Sequence, residues 1–125
     1  MKILVYDDNP HFGGHQIMAC HGIEALIATS GIDVILMHNP ENRKLIERLS
    51  RSGTFQTLEA PCATQKFQGF RNRINPTGIR RLKEHFHRLK PDLVLCIQGD
   101  IEQSSQAVLA AGECRIECVS YIAIP

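Results

Sequence analysis

The chain has 125 residues, 43% of them hydrophobic, with 14 Lys+Arg against 13 Asp+Glu and a net charge of +1. That is enough chain for one domain with one core, and so balanced a charge gives no ground for wholesale binding to nucleic acid or to a membrane surface. The apolar runs are strand-length, so neither a secretory signal nor a membrane span is expected. Five cysteines, an odd count with no Cys-x-x-Cys pair, argue against a disulfide framework or a zinc ribbon and read as reduced thiols of a cytoplasmic protein.

Lys2–Tyr6 is a continuous apolar run, as expected of a parallel strand covered on both faces. A polar turn, Asp7 to Phe12, leads to Gly13-Gly14, and a helix is expected from Gly14 to Ser30. Ala19, Cys20, Ile23, Leu26, Ile27 and Ser30 form its inward stripe, with Gln16, Glu24 and Thr29 off it. Gly31 stands where a left-handed cap belongs. Asp33–His38 is the second strand, and Asn39-Pro40 reads as an N-cap with proline at the first helical position. The helix that follows turns Leu45, Ile46 and Leu49 inward and ends near Gly53. Phe55–Glu59 is short and more polar, so it is assigned to a sheet edge.

Residues 60–75 show no clean period and are expected to be a mobile connection, although Lys66, Arg71 and Arg73 could also bind an anionic molecule there. Asn75-Pro76 repeats the cap signal before a helix to about Lys90. Asp92–Ile97 is the fourth strand and Gln98-Gly99-Asp100 its turn. A helix over Glu102–Ala111, stopped by Gly112, and a fifth strand over Glu117–Ile122 complete the pattern.

Strands alternating with helices imply βαβ units, a three-layer Rossmann-like fold and a doubly wound parallel sheet in the order 3-2-1-4-5. The crevice of such a sheet lies at the carboxyl ends of strands 1 and 4, where connections leave in opposite directions. The sequence stops straight after the fifth strand with no closing helix, so residues 1–125 are expected to be one domain of a longer protein.

Gly13-Gly14 at a helix start can cradle phosphate or sugar oxygens with backbone N–H groups. A tight turn with no ligand would look the same, and neither a dinucleotide fingerprint nor a P-loop is present. His11, His15 and Gln16 can exchange hydrogen bonds with hydroxyls, and His15 can act as a base. Asp100 and Glu102 could orient a sugar or accept a proton, or serve as turn and helix-start residues. Asp7 and Asp8 could hold Mg²⁺, or form a turn before Asn9-Pro10.

Two resemblances follow from these residues. Lys2-Ile3-Leu4-Val5-Tyr6-Asp7-Asp8-Asn9 resembles the opening of a response-regulator receiver, but the third strand ends Leu58-Glu59 with no phosphoacceptor Asp. The second resemblance covers most of the chain. Phe12-Gly13-Gly14-His15-Gln16, Arg88-Leu89-Lys90-Pro91-Asp92-Leu93-Val94-Leu95, Gln98-Gly99-Asp100-Ile101-Glu102 and Val119-Ser120-Tyr121-Ile122 resemble the N-terminal domain of GT-B glycosyltransferases, of the group-four retaining class.

That resemblance implies a full-length enzyme that moves a sugar from a nucleotide-sugar donor to a hydroxyl acceptor, with the C-terminal donor domain absent here. It implies that Gly13, Gly14, His15 and Gln16 line the cleft and that Gln98, Gly99, Asp100 and Glu102 lie on its acceptor side. His15, Asp100 and Glu102 are the candidate catalytic groups. It further implies no tightly bound metal or cofactor, no nucleic-acid partner, room for peripheral membrane association of the full enzyme, and an inactive isolated chain. The alternatives are a receiver-like signalling module and a small-anion-binding Rossmann-like domain.

Overall fold

The computed structural model describes residues 1–122; the last three, and with them the abrupt stop noted above, lie outside the described residues. Strand β1 (Lys2–Asp7) is the middle of a five-stranded parallel sheet. Its neighbours are β2 (Asp33–His38) and β4 (Leu93–Gln98), with β3 (Gln56–Glu59) and β5 (Glu117–Ile122) at the edges. The order is β3-β2-β1-β4-β5, as the alternation predicts. In register, Val5 faces Leu36 on one side and Leu95 on the other. This order excludes a receiver, whose doubly wound sheet runs 2-1-3-4-5.

Alternation along β1 sorts its side chains between two cores. Ile3 and Val5 pack with Ala19, Cys20, Ile23, Leu36, Leu45 and Leu49. Leu4 and Tyr6 pack on the other face with Ile79, Leu82, Phe86, Ala107 and Ala110. Helices α1 (Gly14–Ala28) and α2 (Arg43–Leu49) therefore cover one face, while α4 (Thr77–Leu89) and α5 (Ser105–Glu113) cover the other. Between β3 and α4 lies α3 (Gln68–Ile74).

Four local expectations are corrected. Gln16 is on the inward stripe of α1 and is 1% exposed, because positions 16, 19, 20 and 23 share one helical face. Asn39-Pro40 is a turn and not a cap: Asn39 Oδ1 accepts from Glu41 N at 2.9 Å, and Asn42 caps α2 by accepting from Leu45 N.

Residues 60–75 are not a loose connection. The buried Gln68 Oε1 accepts from Gln65 N at 2.9 Å, its amide donates to Asn72 Oδ1 at 2.7 Å, and Asn72 donates to Ser105 Oγ at 3.1 Å. Last, α5 begins at Ser105 and runs through Gly112. Asp100 Oδ1 accepts from the N–H groups of both Glu102 and Gln103, which holds that stretch in the loop. The helix stops on a Schellman turn, with Arg115 left-handed (φ 57°), Arg115 N bonded to Gly112 O and Ile116 N to Ala111 O.

Candidate functional site

The carboxyl ends of β1 and β4 meet under the glycine turn, and the side chains there follow from strand alternation. Asp7 falls on the α1 face and Asp8 on the α4/α5 face. Each carboxylate acquires its own partners. Asp7 Oδ1 accepts from Asn9 N at 3.0 Å and from Gln103 Nε2 at 3.4 Å. Asp8 accepts from the hydroxyls of Thr64 (2.7 Å), Tyr6 (3.4 Å) and Ser104 (3.4 Å). They are two separate groups rather than one paired-carboxylate site.

Burial governs their acidity. Desolvation pushes Asp7 up to about 7, against smaller opposing contributions from the Asn9 N–H and the Gln16 amide. Asp8 is raised for the same reason, less its hydroxyl bonds. Asp7 Oδ2 is buried with no partner among the described residues. An acid that titrates near neutrality with a free oxygen can carry a proton in either direction.

The glycine turn stands open above it. Nothing lies within 4 Å of a Cβ placed on Gly14, and on Gly13 such an atom would meet only Gln16 Oε1 at 3.7 Å. Gln16 reaches back so that its Oε1 accepts the Gly13 N–H, half of a capping box without a side chain on the cap. Its buried Nε2 lies beside the Asp7 carboxyl and lowers that group's pKa, without forming a hydrogen bond of normal geometry. No acidic side chain occupies the first turn of α1, so the positive end of the helix is uncompensated.

His15 packs against Gly99, where a Cβ would lie 3.1 Å from its Cε1. Burial lowers its pKa despite the nearby Asp100 carboxylate, which favours the neutral ring. His15 Nε2 is also buried and unpartnered among the described residues. One cluster thus holds three buried polar atoms without a hydrogen bond of normal geometry, from Asp7, His15 and Gln16.

The fold brings Gly13, Gly14, His15, Gln16 and Gly99 close together. The remaining candidates are differently employed. Gln98 is buried and its amide donates to the carbonyls of Ile101 and Gln103, and Asp100 caps its own loop. Glu102 is exposed; its Oε1 accepts weakly from Gly69 N at 3.4 Å. Gln98 and Glu102 do line one cavity of about 600 Å³, with Ile101, Val108 and Leu109 as its apolar wall.

The sequence offers Asp7 as a metal ligand or a turn residue, and its Oδ1 does accept from Asn9 N as a turn residue would; the sequence gives no role to Gln103. The latter bridges the halves, accepting from Gly99 N at 2.6 Å while donating to Asp7. Its signal was available: an amide four residues beyond a glycine turn that follows a buried strand. No helix among the described residues is long and apolar enough to cross a membrane.

A parallel sheet in this order, with the glycine turn at its switch point, defines a Rossmann-like domain. Solved structures share that fold. UDP-GlcNAc 2-epimerase from Neisseria meningitidis, bound to UDP-GlcNAc, matches 96% of this chain at 20% identity with a TM-score of 0.63. The glycotransferase of kitacinnamycin matches 97% at 14% identity and 0.62. This chain covers 32% and 30% of those two proteins, about a third of each. The C-terminal domain of a Pyrococcus furiosus hydrogenase matches 96% at 18% identity and 0.52, and there the chain covers 90% of the matched protein. No protein-family model and no curated protein matches the sequence.

Proposed function

We propose that this chain is the acceptor-side, N-terminal part of a GT-B glycosyltransferase that transfers a sugar from a nucleotide-sugar donor to a hydroxyl. The observation that carries the reading is the trio of buried polar atoms, Asp7 Oδ2, His15 Nε2 and Gln16 Nε2, beneath an open glycine turn. Buried polar groups are normally satisfied, and with Gln16 Nε2 set beside the Asp7 carboxyl and His15 Nε2 unpaired among the described residues, the cluster is short of partners in a way that supports a polar ligand. Likeness over about a third of a UDP-GlcNAc 2-epimerase and of a glycotransferase supports the same class.

In this reading the start of α1 faces the leaving diphosphate and stabilises its developing charge. Asp7 is the proton carrier, with Gln103 orienting it, and neutral His15 hydrogen-bonds the sugar or acceptor hydroxyl. Glu102 and the apolar wall beside it belong to the acceptor. A second domain supplies the rest of the donor site, as ordinary domain sizes allow, so the isolated chain turns nothing over.

Titrating UDP into the ¹⁵N-labelled chain tests this. Weak but saturable shifts are expected at Gly13–Gln16, reduced at least fivefold in His15→Ala. Shifts confined to other surfaces would end the proposal, and robust donor hydrolysis by the isolated chain would overturn the half-cleft. A second reading, an epimerase acting on a nucleotide sugar, is favoured by the acidity of Asp7 near neutral pH. Solvent deuterium appearing at a sugar carbon, in the protein that carries this domain, selects it over transfer.

A further inference from the structure

On the opposite face of the β1 terminus, a cavity of about 370 Å³ opens between α3, the start of α4 and α5. We propose that it binds the phosphoryl group of a small hydroxylated phosphate monoester. This binding does not rest on the glycosyl-transfer reading above.

Three features point to an anion. Arg71 and Arg81 both line the cavity, no carboxylate does, and neither forms an ion pair among the described residues. Arg71 donates its Nε to Lys66 O at 2.9 Å, which fixes the guanidinium and leaves its terminal nitrogens available. Helix α4 is 13 residues long and starts at the cavity with no acid in its first turn. Its Thr77 N–H is taken by Asn75 Oδ1, and the next residue, Gly78, forms the wall. Two guanidiniums and a helix start match a phosphate ester carrying about 1.5 to 2 negative charges better than they match a carboxylate.

The fourth feature points to a hydroxyl beside the phosphate. Gln106 lines the cavity at 6% exposure, and its buried Oε1 has no partner among the described residues. Its amide nitrogen lies 2.3 Å from where a Cβ on Gly78 would stand, so the glycine makes room for this side chain. An acceptor kept dry and unpaired is costly, and a ligand O–H supplies the missing donor. The volume sits at the small end of ligand pockets, about 300–1,000 Å³, which suits a sugar- or polyol-phosphate. Cys62 forms the wall toward β1, where the single Tyr6 O–H is shared between the Cys62 carbonyl at 3.3 Å and Asp8 at 3.4 Å.

The test uses glucose 6-phosphate, inorganic phosphate and glucose against the ¹⁵N-labelled chain, read at Gly78, Ile79 and the Gln106 side-chain amide. Saturable shifts are expected with both phosphates, at least tenfold tighter for glucose 6-phosphate than for phosphate, and none with glucose. Arg71→Gln and Arg81→Gln, both at exposed positions, should each weaken binding at least fivefold without loss of fold. Gln106→Ala should erase the advantage of the sugar phosphate over inorganic phosphate. Absence of saturable shifts, or affinities unchanged in both arginine variants, overturns the proposal. Shifts by glucose 6-phosphate at Gly13–Gln16 alone overturn it too, while leaving the transferase reading standing. Failure of UDP to reach Gly13–Gln16 with the Gly78 shifts intact does the reverse.

Discussion

Asp7 shows how one buried oxygen couples stability to chemistry. Its carboxyl is 1% exposed and titrates at about 7, against an ordinary unfolded value near 3.9. Between those two values the folded chain binds a proton that the unfolded chain does not. Stability contributed by the protonated form is therefore complete below about pH 4 and is lost as pH rises through 7. Asp7→Asn removes the buried charge while keeping an oxygen for Asn9 N and Gln103. It should stabilise the chain at pH 8 by about 1–3 kcal/mol and flatten the pH 5–8 slope in urea melts. A slope unchanged in the variant would show that some other group titrates. If the proposed function holds, the same variant should abolish glycosyl transfer, a trade of stability against function.

Among the elements, the α2 start is the most informative, because a single side chain ties three segments together. Asn42 is 2% exposed, caps α2 through Leu45 N, and donates its amide to the carbonyls of Asn9 and His11. The turn that carries Gly13 is thereby held to the far side of β2. Asn42→Ala should cost about 1–2 kcal/mol from the lost cap, measured by denaturant unfolding. It should also speed hydrogen exchange over residues 9–13, where a purely local cap would protect only α2. In the loop between α2 and β3, Gly53 adopts φ 146°, and a Cβ there would touch Ile27 Cγ2 at 3.0 Å. Its place after the α2 region was legible as a stop signal; the contact with α1 was not.

At the scale of the whole molecule, the carboxyl end of the central strand β1 carries a polar cluster on each face of the sheet. Asp7 looks to the glycine turn and Asp8 to the Thr64, Tyr6 and Ser104 hydroxyls. This arrangement predicts independent loading. UDP and glucose 6-phosphate should bind without competing, each leaving the other's shifts at saturation. Mutual exclusion would mean that both enter one site.

At this scale the division between what sequence and structure decide is clear. The hydrophobic period along Lys2–Tyr6, Asp33–His38 and Asp92–Ile97, and the stops around them, sufficed for strand order, layers and the position of the glycine turn. Those features depend on local pattern and on the handedness of crossovers, both of which are written along the chain. Tertiary structure alone decided the order in residues 60–75, because Gln68 and Asn72 find their partners in one another and in Ser105, 33 residues away from Asn72. It alone showed that Asp7 is buried with its carboxyl pushed up toward neutrality, since a carboxyl's acidity depends on what excludes water from it. The same holds for the pairing of Gln106 with Gly78: a polar side chain becomes unsatisfied only when the fold decides who its neighbours are.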